Sequence, residues 1–156
     1  MYQRIRDWLA ENKAEFREVH HTPTLTSEEA AKARGEDISI GGKALLLKVD
    51  ESYKLFVLSA ARLLDSNAIK ERFGAKRVRF ATPDELKELT GLVPGSVPPF
   101  TKPFLELELY VDESIRKNDR IAFNAGSLTD SIVMGVADYM RLAQPAGVFG
   151  FSKEKK

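Results

Sequence analysis

Two apolar runs constrain this chain more than any other feature. Residues 43–49 read Lys-Ala-Leu-Leu-Leu-Lys-Val and residues 53–60 read Tyr-Lys-Leu-Phe-Val-Leu-Ser-Ala, with only Asp50-Glu51-Ser52 between them. Runs this short, joined by a polar triplet, predict two paired strands in a hairpin. Side chains alternate along a strand, so Lys43 shares a face with Leu45 and Leu47. A cation therefore opens an otherwise apolar row.

The elements around this hairpin carry their own punctuation. Residues 2–12 read as a helix, with Tyr2, Ile5, Trp8 and Leu9 on one face. A short strand over 16–20 follows. Thr26-Ser27-Glu28-Glu29 fits a capping box, and Gly35 is a natural stop for the helix it starts. Asp65 or Ser66 caps a second short helix ending at Gly74, and 76–80 is a strand. Thr82-Pro83-Asp84-Glu85 is another capping box, with proline at the first helical position. Four of the seven prolines fall within residues 92–103, which excludes regular structure there. Residues 105–111, 121–124 and 131–134 read as strands and 136–142 as a closing helix. Residues 1–150 form one domain, and 151–156 are expected to be a charged, frayed tail. Helices and hairpins alternate without a βαβ rhythm, so the predicted class is α+β around a mixed sheet.

Composition removes several kinds of function. The chain has no cysteine, which excludes thiolate metal sites and a cysteine nucleophile. Its two histidines, His20 and His21, are adjacent and point opposite ways on a strand, so they make poor joint ligands. Neither a metal nor a cofactor is expected. There is no GxxxxGK[ST] phosphate loop and no GxSxG elbow. The opening residues show no secretory pattern, and no apolar run reaches membrane-spanning length. The expected setting is cytoplasmic, away from membranes. Lys plus Arg total 24 against 23 for Asp plus Glu, so any attraction to phosphate must come from a local patch. Lys76, Arg77 and Arg79 are one such candidate, and a solvated strand face is the other reading of them.

Three segments could carry chemistry. Lys43 could be a cation at a pocket mouth, or a strand-end lysine whose stem lies along apolar surface. The loop running from Gly91 through Gly95-Ser-Val-Pro-Pro99 could turn backbone N–H groups inward to hold an oxyanion, or could simply connect two elements. Asn124-Ala-Gly-Ser127 could bring backbone close to a ligand, or form a tight turn.

Taken in order, these segments resemble a known family. His21-Thr22-Pro23, Thr26-Ser27-Glu28-Glu29-Ala30-Ala31 and residues 43–48 are similar to the N-terminal half of the YbaK/ProX aminoacyl-tRNA deacylases. Residues 74–79 and 81–86, the Gly95-x-x-x-Pro99 loop and Phe123-Asn-Ala-Gly-Ser127 match the later part. The family includes the editing domain inserted in bacterial prolyl-tRNA synthetases. The resemblance implies a mixed, partly closed sheet flanked by helices. It implies that Lys43 is the family's key lysine and that N–H groups around Gly95 and Ser96 hold the reacting carbonyl. Thr22, Leu45, Pro99, Asn124, Gly126, Ser127 and Ser131 are then the expected substrate-binding positions. Some members carry an aspartate where this chain places Ser131, beside Asp130, and that bears on which amino acid is removed. The implied activity is trans-editing: hydrolysis of the ester joining an amino acid to the 3′ end of mischarged tRNA. The implied partners are a tRNA acceptor end carrying a small non-cognate amino acid and an aminoacyl-tRNA synthetase. The alternative is a non-catalytic tRNA- or amino-acid-binding module on the same fold.

Overall fold

The computed structural model describes residues 1–24 and 26–155. Helix α1 (Tyr2–Glu11) buries Ile5 and Leu9 completely and leads to strand β1 (Phe16–His20). The Thr26 hydroxyl accepts the Glu29 N–H at 3.1 Å and starts α2 (Ser27–Arg34), which stops at Gly35 with a left-handed φ of 70°. Strands β2 (Gly42–Val49) and β3 (Ser52–Ser59) form the expected hairpin, and β4 (Arg62–Leu64) follows. The Asp65 carboxylate caps α3 (Ser66–Phe73), and β5 (Val78–Phe80) precedes α4 (Pro83–Thr90). At α4 both halves of the Thr82–Glu85 capping box are formed. The second half of the chain contains β6 (Glu108–Asp112), α5 (Glu113–Arg116), β7 (Arg120–Asn124) and β8 (Asp130–Gly135). Helix α6 (Val136–Ala143), β9 (Gly147–Phe149) and β10 (Ser152–Glu154) complete it.

The main sheet is mixed, in the order β5-β2-β3-β6-β9. β2 pairs antiparallel with both β3 and β5, whereas β3–β6 and β6–β9 are parallel. A second antiparallel sheet, β1-β8-β7, meets the first through a bridge between Gly41 and Ala122. Gly42 allows that approach: a Cβ there would lie 2.6 Å from Ile121 Cδ1. Alternation along β3 divides the interior in two. Leu55 and Val57 enter the larger core with Ile5, Phe100, Ile121 and Tyr139, while Phe56 and Leu58 enter a smaller one with Leu47, Ile69 and Phe151. The structure is thus α+β with a mixed sheet flanked by helices, as the sequence predicts.

Some boundaries differ. The strand expected from residue 105 begins at Glu108, and the strand expected from 76 begins at Val78. Lys76 and Arg77 instead donate their backbone N–H groups to Asp50 Oδ1, at 3.0 and 2.9 Å. The tail expected to fray is corrected: Ser152–Glu154 pairs antiparallel with β4. The reason is Phe151, fully buried in the smaller core, whose N–H donates to the buried Asp112 at 2.7 Å. One anchored aromatic holds the charged residues after it in place. Residues 92–103 are irregular as expected, yet Leu92, Val97 and Phe100 are buried in the larger core.

Candidate active site

Four segments converge on one small cavity of about 120 Å³. Thr24, Thr26, Ser27 and Arg34 line it from α2 and the residues before that helix. Gly41, Gly42 and Lys43 line it from the start of β2, Gly95 and Val97 from the proline-rich loop, and Asn124 from the end of β7. Larger clefts of about 520 and 720 Å³ lie elsewhere, but none of the predicted site residues lines them. The cavity lining includes two cations, Arg34 and Lys43, and no carboxylate.

A hydrogen-bond network ties the walls together. Asn124 donates through Nδ2 to the Gly95 carbonyl at 2.7 Å. A carbonyl can only accept, so this contact orients the amide and turns Oδ1 the other way. There Oδ1 accepts from Arg34 Nη2 at 3.1 Å and from the Ser131 hydroxyl at 3.0 Å. Ser131 Oγ accepts from Arg34 Nε at 3.0 Å and lies 2.8 Å from His21 Nε2. The loop, β7, β8 and α2 are thereby held as one frame.

The electrostatics follow from what is missing. Arg34 is 8% exposed, and its side-chain partners, Ser131 and Asn124, are neutral. Burial alone pushes its pKa down to about 10, which still leaves it charged at neutral pH. The half-buried Lys43 is also held below the ordinary lysine value, first by burial and then by Lys155, with Glu28 opposing. A cavity lined by two partly or wholly desolvated cations and by no carboxylate favours an anionic or strongly polar ligand.

The predicted positions divide into two groups. Lys43, Gly95 and Asn124 come together at the cavity, and Gly95 has the left-handed φ, 86°, that its residue type suggested. The others stand back from it. Ser96 is buried, and its N–H donates to the Val93 carbonyl at 3.1 Å, so this amide is committed to the turn. Among the described residues the Gly95 and Val97 N–H groups have no such partner. Pro99 is buried and its carbonyl accepts from Tyr139. Thr22 is exposed, with its carbonyl 2.9 Å from His21 Nδ1. Leu45 packs towards the smaller core. Gly126, φ 76°, is covered by Met1, and Ser127 donates to Asp130 at 2.7 Å. Ser131 is fully buried and hydrogen-bonded to Arg34 and Asn124. The sequence reading missed Arg34. At the last position of α2 it reads as a surface cation favoured by the helix dipole. The available signal was its helical face: Arg34 lies three and four residues after Ala31 and Ala30, and all three are buried.

Residues 21–142 match the aminoacyl-tRNA editing domain. The chain belongs to the aminoacyl-tRNA editing family. It is 37% identical over 149 residues to the multifunctional Ser/Thr-tRNA deacylase ProXp-y of Escherichia coli K12, covering 92% of this chain and 89% of that protein. It is 23% identical to the prolyl-tRNA editing protein ProX of Acetoanaerobium sticklandii, over 89% and 88% of the two chains. A 100-residue stretch is 35% identical to proline–tRNA ligase of Shouchella clausii, where it covers 64% of this chain and 17% of the ligase. Among solved structures, the hypothetical protein APE2540 superposes with a TM-score of 0.83 at 26% identity, covering 96% of this chain and 99% of that one. Among the described residues, no helix of this family member is long and apolar enough to cross a membrane, and no group of three or more His, Asp or Glu is placed to hold a metal.

Proposed function

We propose that this chain is an aminoacyl-tRNA deacylase that hydrolyses the ester of a small, hydroxyl-bearing amino acid on mischarged tRNA. The observation that carries the reading is a cavity lined by two cations and no carboxylate, beside two loop amides without a hydrogen-bond partner among the described residues, in a member of the editing family. Water attacks the ester carbonyl and a tetrahedral oxyanion forms. The Gly95 and Val97 N–H groups are the donors for that charge, a type of contact worth roughly 3–4 kcal/mol elsewhere. Ser96, with its amide engaged in the turn, positions the loop. Lys43 and Arg34 hold the phosphate and ribose of the terminal nucleotide. The attacking water is oriented by the neighbouring ribose hydroxyl of the substrate, and its proton passes to the departing ribose oxygen. No protein nucleophile is required.

Size and lining support the substrate class. A volume of about 120 Å³ is close to that of four waters at their liquid share of about 30 Å³ each, room for a small amino acid. Thr24, Thr26 and Ser27, all hydroxyl-bearing residues, are part of its lining. Similarity to a Ser/Thr-tRNA deacylase points the same way. Such a hydrolase answers a physical limit, since a synthetase pocket rejects near-isosteres by only about 1–3 kcal/mol. The test is release of free amino acid from a panel of mischarged tRNAs. Seryl- and threonyl-tRNA should be emptied fastest. Salt-dependent binding of all the tRNAs with no release would overturn the hydrolase in favour of a binding module.

A further inference from the structure

Phe80 is the most exposed large apolar residue of the described chain, at 58%, and Leu63, also exposed, lies in the same groove. The groove has a volume of about 420 Å³, and Val78, Phe80, Leu63 and Leu64 form its apolar surface, with the fully buried Leu47 at its floor. No carboxylate lines it. Two cations do: Arg79, whose guanidinium is spent on Glu85, and Lys153. Among the described residues, Lys153 has no ion pair or side-chain hydrogen bond. The free charge at this groove is therefore positive.

Its position relative to the cavity matters most. Phe80 pairs directly with Leu47 across β5 and β2, so the two side chains share a sheet face. Leu47 shares that face with Leu45 and Lys43. Four residues of extended strand, roughly 13 Å, separate Lys43 from Leu47. The C-terminal strand runs along the same route. Lys153 stands opposite Leu63 in the β10–β4 pair, and Lys155, just beyond that strand, lies near enough to Lys43 to lower its pKa. The wall carrying Lys153 falls beyond residue 142, where the match to the editing family ends.

We infer that the Phe80 groove is a stacking site for an unpaired nucleotide upstream of the terminal adenosine of the tRNA. An exposed aromatic ring beside a free cation and without carboxylates is the arrangement on which single-stranded bases stack. The spacing suits a strand whose last residue sits at Lys43 and whose preceding nucleotides reach the exposed ring of Phe80 past the edge of the smaller core. This inference rests on the reading of the Lys43 cavity as the editing site, and its test is read without turnover.

The probe is an RNA hairpin ending in single-stranded CCA, with 2-aminopurine in place of the second cytosine. Its fluorescence should be quenched on binding to the parent protein and to Phe80→Tyr, but not to Phe80→Leu, which keeps apolar surface and removes the ring. In steady-state deacylation, Phe80→Leu should raise KM for mischarged tRNA roughly tenfold, with kcat little changed and Phe80→Tyr restoring the parental value. Quenching that survives in Phe80→Leu, or none in a parent protein that deacylates normally, overturns the stacking site and leaves the deacylase standing. Quenching lost in Phe80→Leu but no deacylation by the parent overturns the hydrolase and supports the nucleotide site. A change of oligomeric state in Phe80→Leu, without parental quenching, assigns the groove to a second copy of the chain and overturns the inference.

Discussion

Two arginines at opposite ends of the hairpin show what burial does to a charge. Arg79 is exposed and forms a two-pronged ion pair with Glu85, at 2.7 and 2.9 Å, which also helps hold the Glu85 carboxyl well below the usual range. Arg34 is buried, its side chain bonded to a serine and an asparagine, and its pKa is lowered. The exposed pair joins β5 to the capping box of α4, and pairs of that kind contribute little to stability. The buried cation costs free energy to keep charged, because no carboxylate compensates its lost hydration. On the proposed function, the ligand of the cavity supplies the counter-charge that the fold does not.

The largest expected effect breaks this comparison directly. Arg34→Ala should lower kcat/KM for mischarged tRNA by more than about a hundredfold, the scale for losing a desolvated charged contact. Arg34→Lys should restore little, since one ammonium cannot span Ser131 and Asn124 as the guanidinium does. Arg34→Met should be equally inactive but melt no lower than the parent, because it removes a buried charge and keeps the volume. A fully active Arg34→Met would move the site away from this residue.

Next in size are Lys43→Ala and Gly95→Val, each expected to lower deacylation about a hundredfold, with little change in melting temperature for Lys43→Ala. Lys43 is half-buried at the cavity, and the φ of 86° at Gly95 is strained for any β-branched residue. Parental rates in both variants would show that the loop and the lysine do not touch the ester.

A smaller effect concerns pH. The Lys43 pKa is lowered, so this ammonium loses its proton at a lower pH than an ordinary lysine. The alkaline limb of kcat/KM should therefore begin below the usual lysine range. Lys155→Ala removes a like charge and should move that limb upward, whereas Glu28→Gln should move it downward. Both groups are partly exposed, so the displacements should be modest and shrink with added salt. A limb that moves in neither variant belongs to another group. The smallest effect belongs to Arg79→Ala, whose thermal melting should match the parent within error.

Much of this was determined by the sequence alone, wherever the cause is local. Thr26, Asp65 and Thr82 cap helices through their own hydroxyls and carboxylates, and Gly35, Gly74 and Gly91 end those helices in left-handed geometry. The hairpin at residues 43–60 follows from alternation and one polar turn, and the prolines suffice to keep 92–103 irregular. The grouping of Lys43, Gly95 and Asn124 was legible through the order of family-like motifs. Only the tertiary structure decided the rest. Arg34 is buried because β7, β8 and the loop close over one face of a short polar helix, an event no window of sequence records. Ser96 turns its amide to Val93, and Gly95 and Val97 keep theirs, through the shape of a loop whose residue types permit several shapes. Ser152–Glu154 is a strand only because Phe151, far along the chain from its partners, finds the smaller core. Local propensity settles which elements form; burial and the pairing of distant charges settle what they do, because both depend on neighbours that the fold alone supplies.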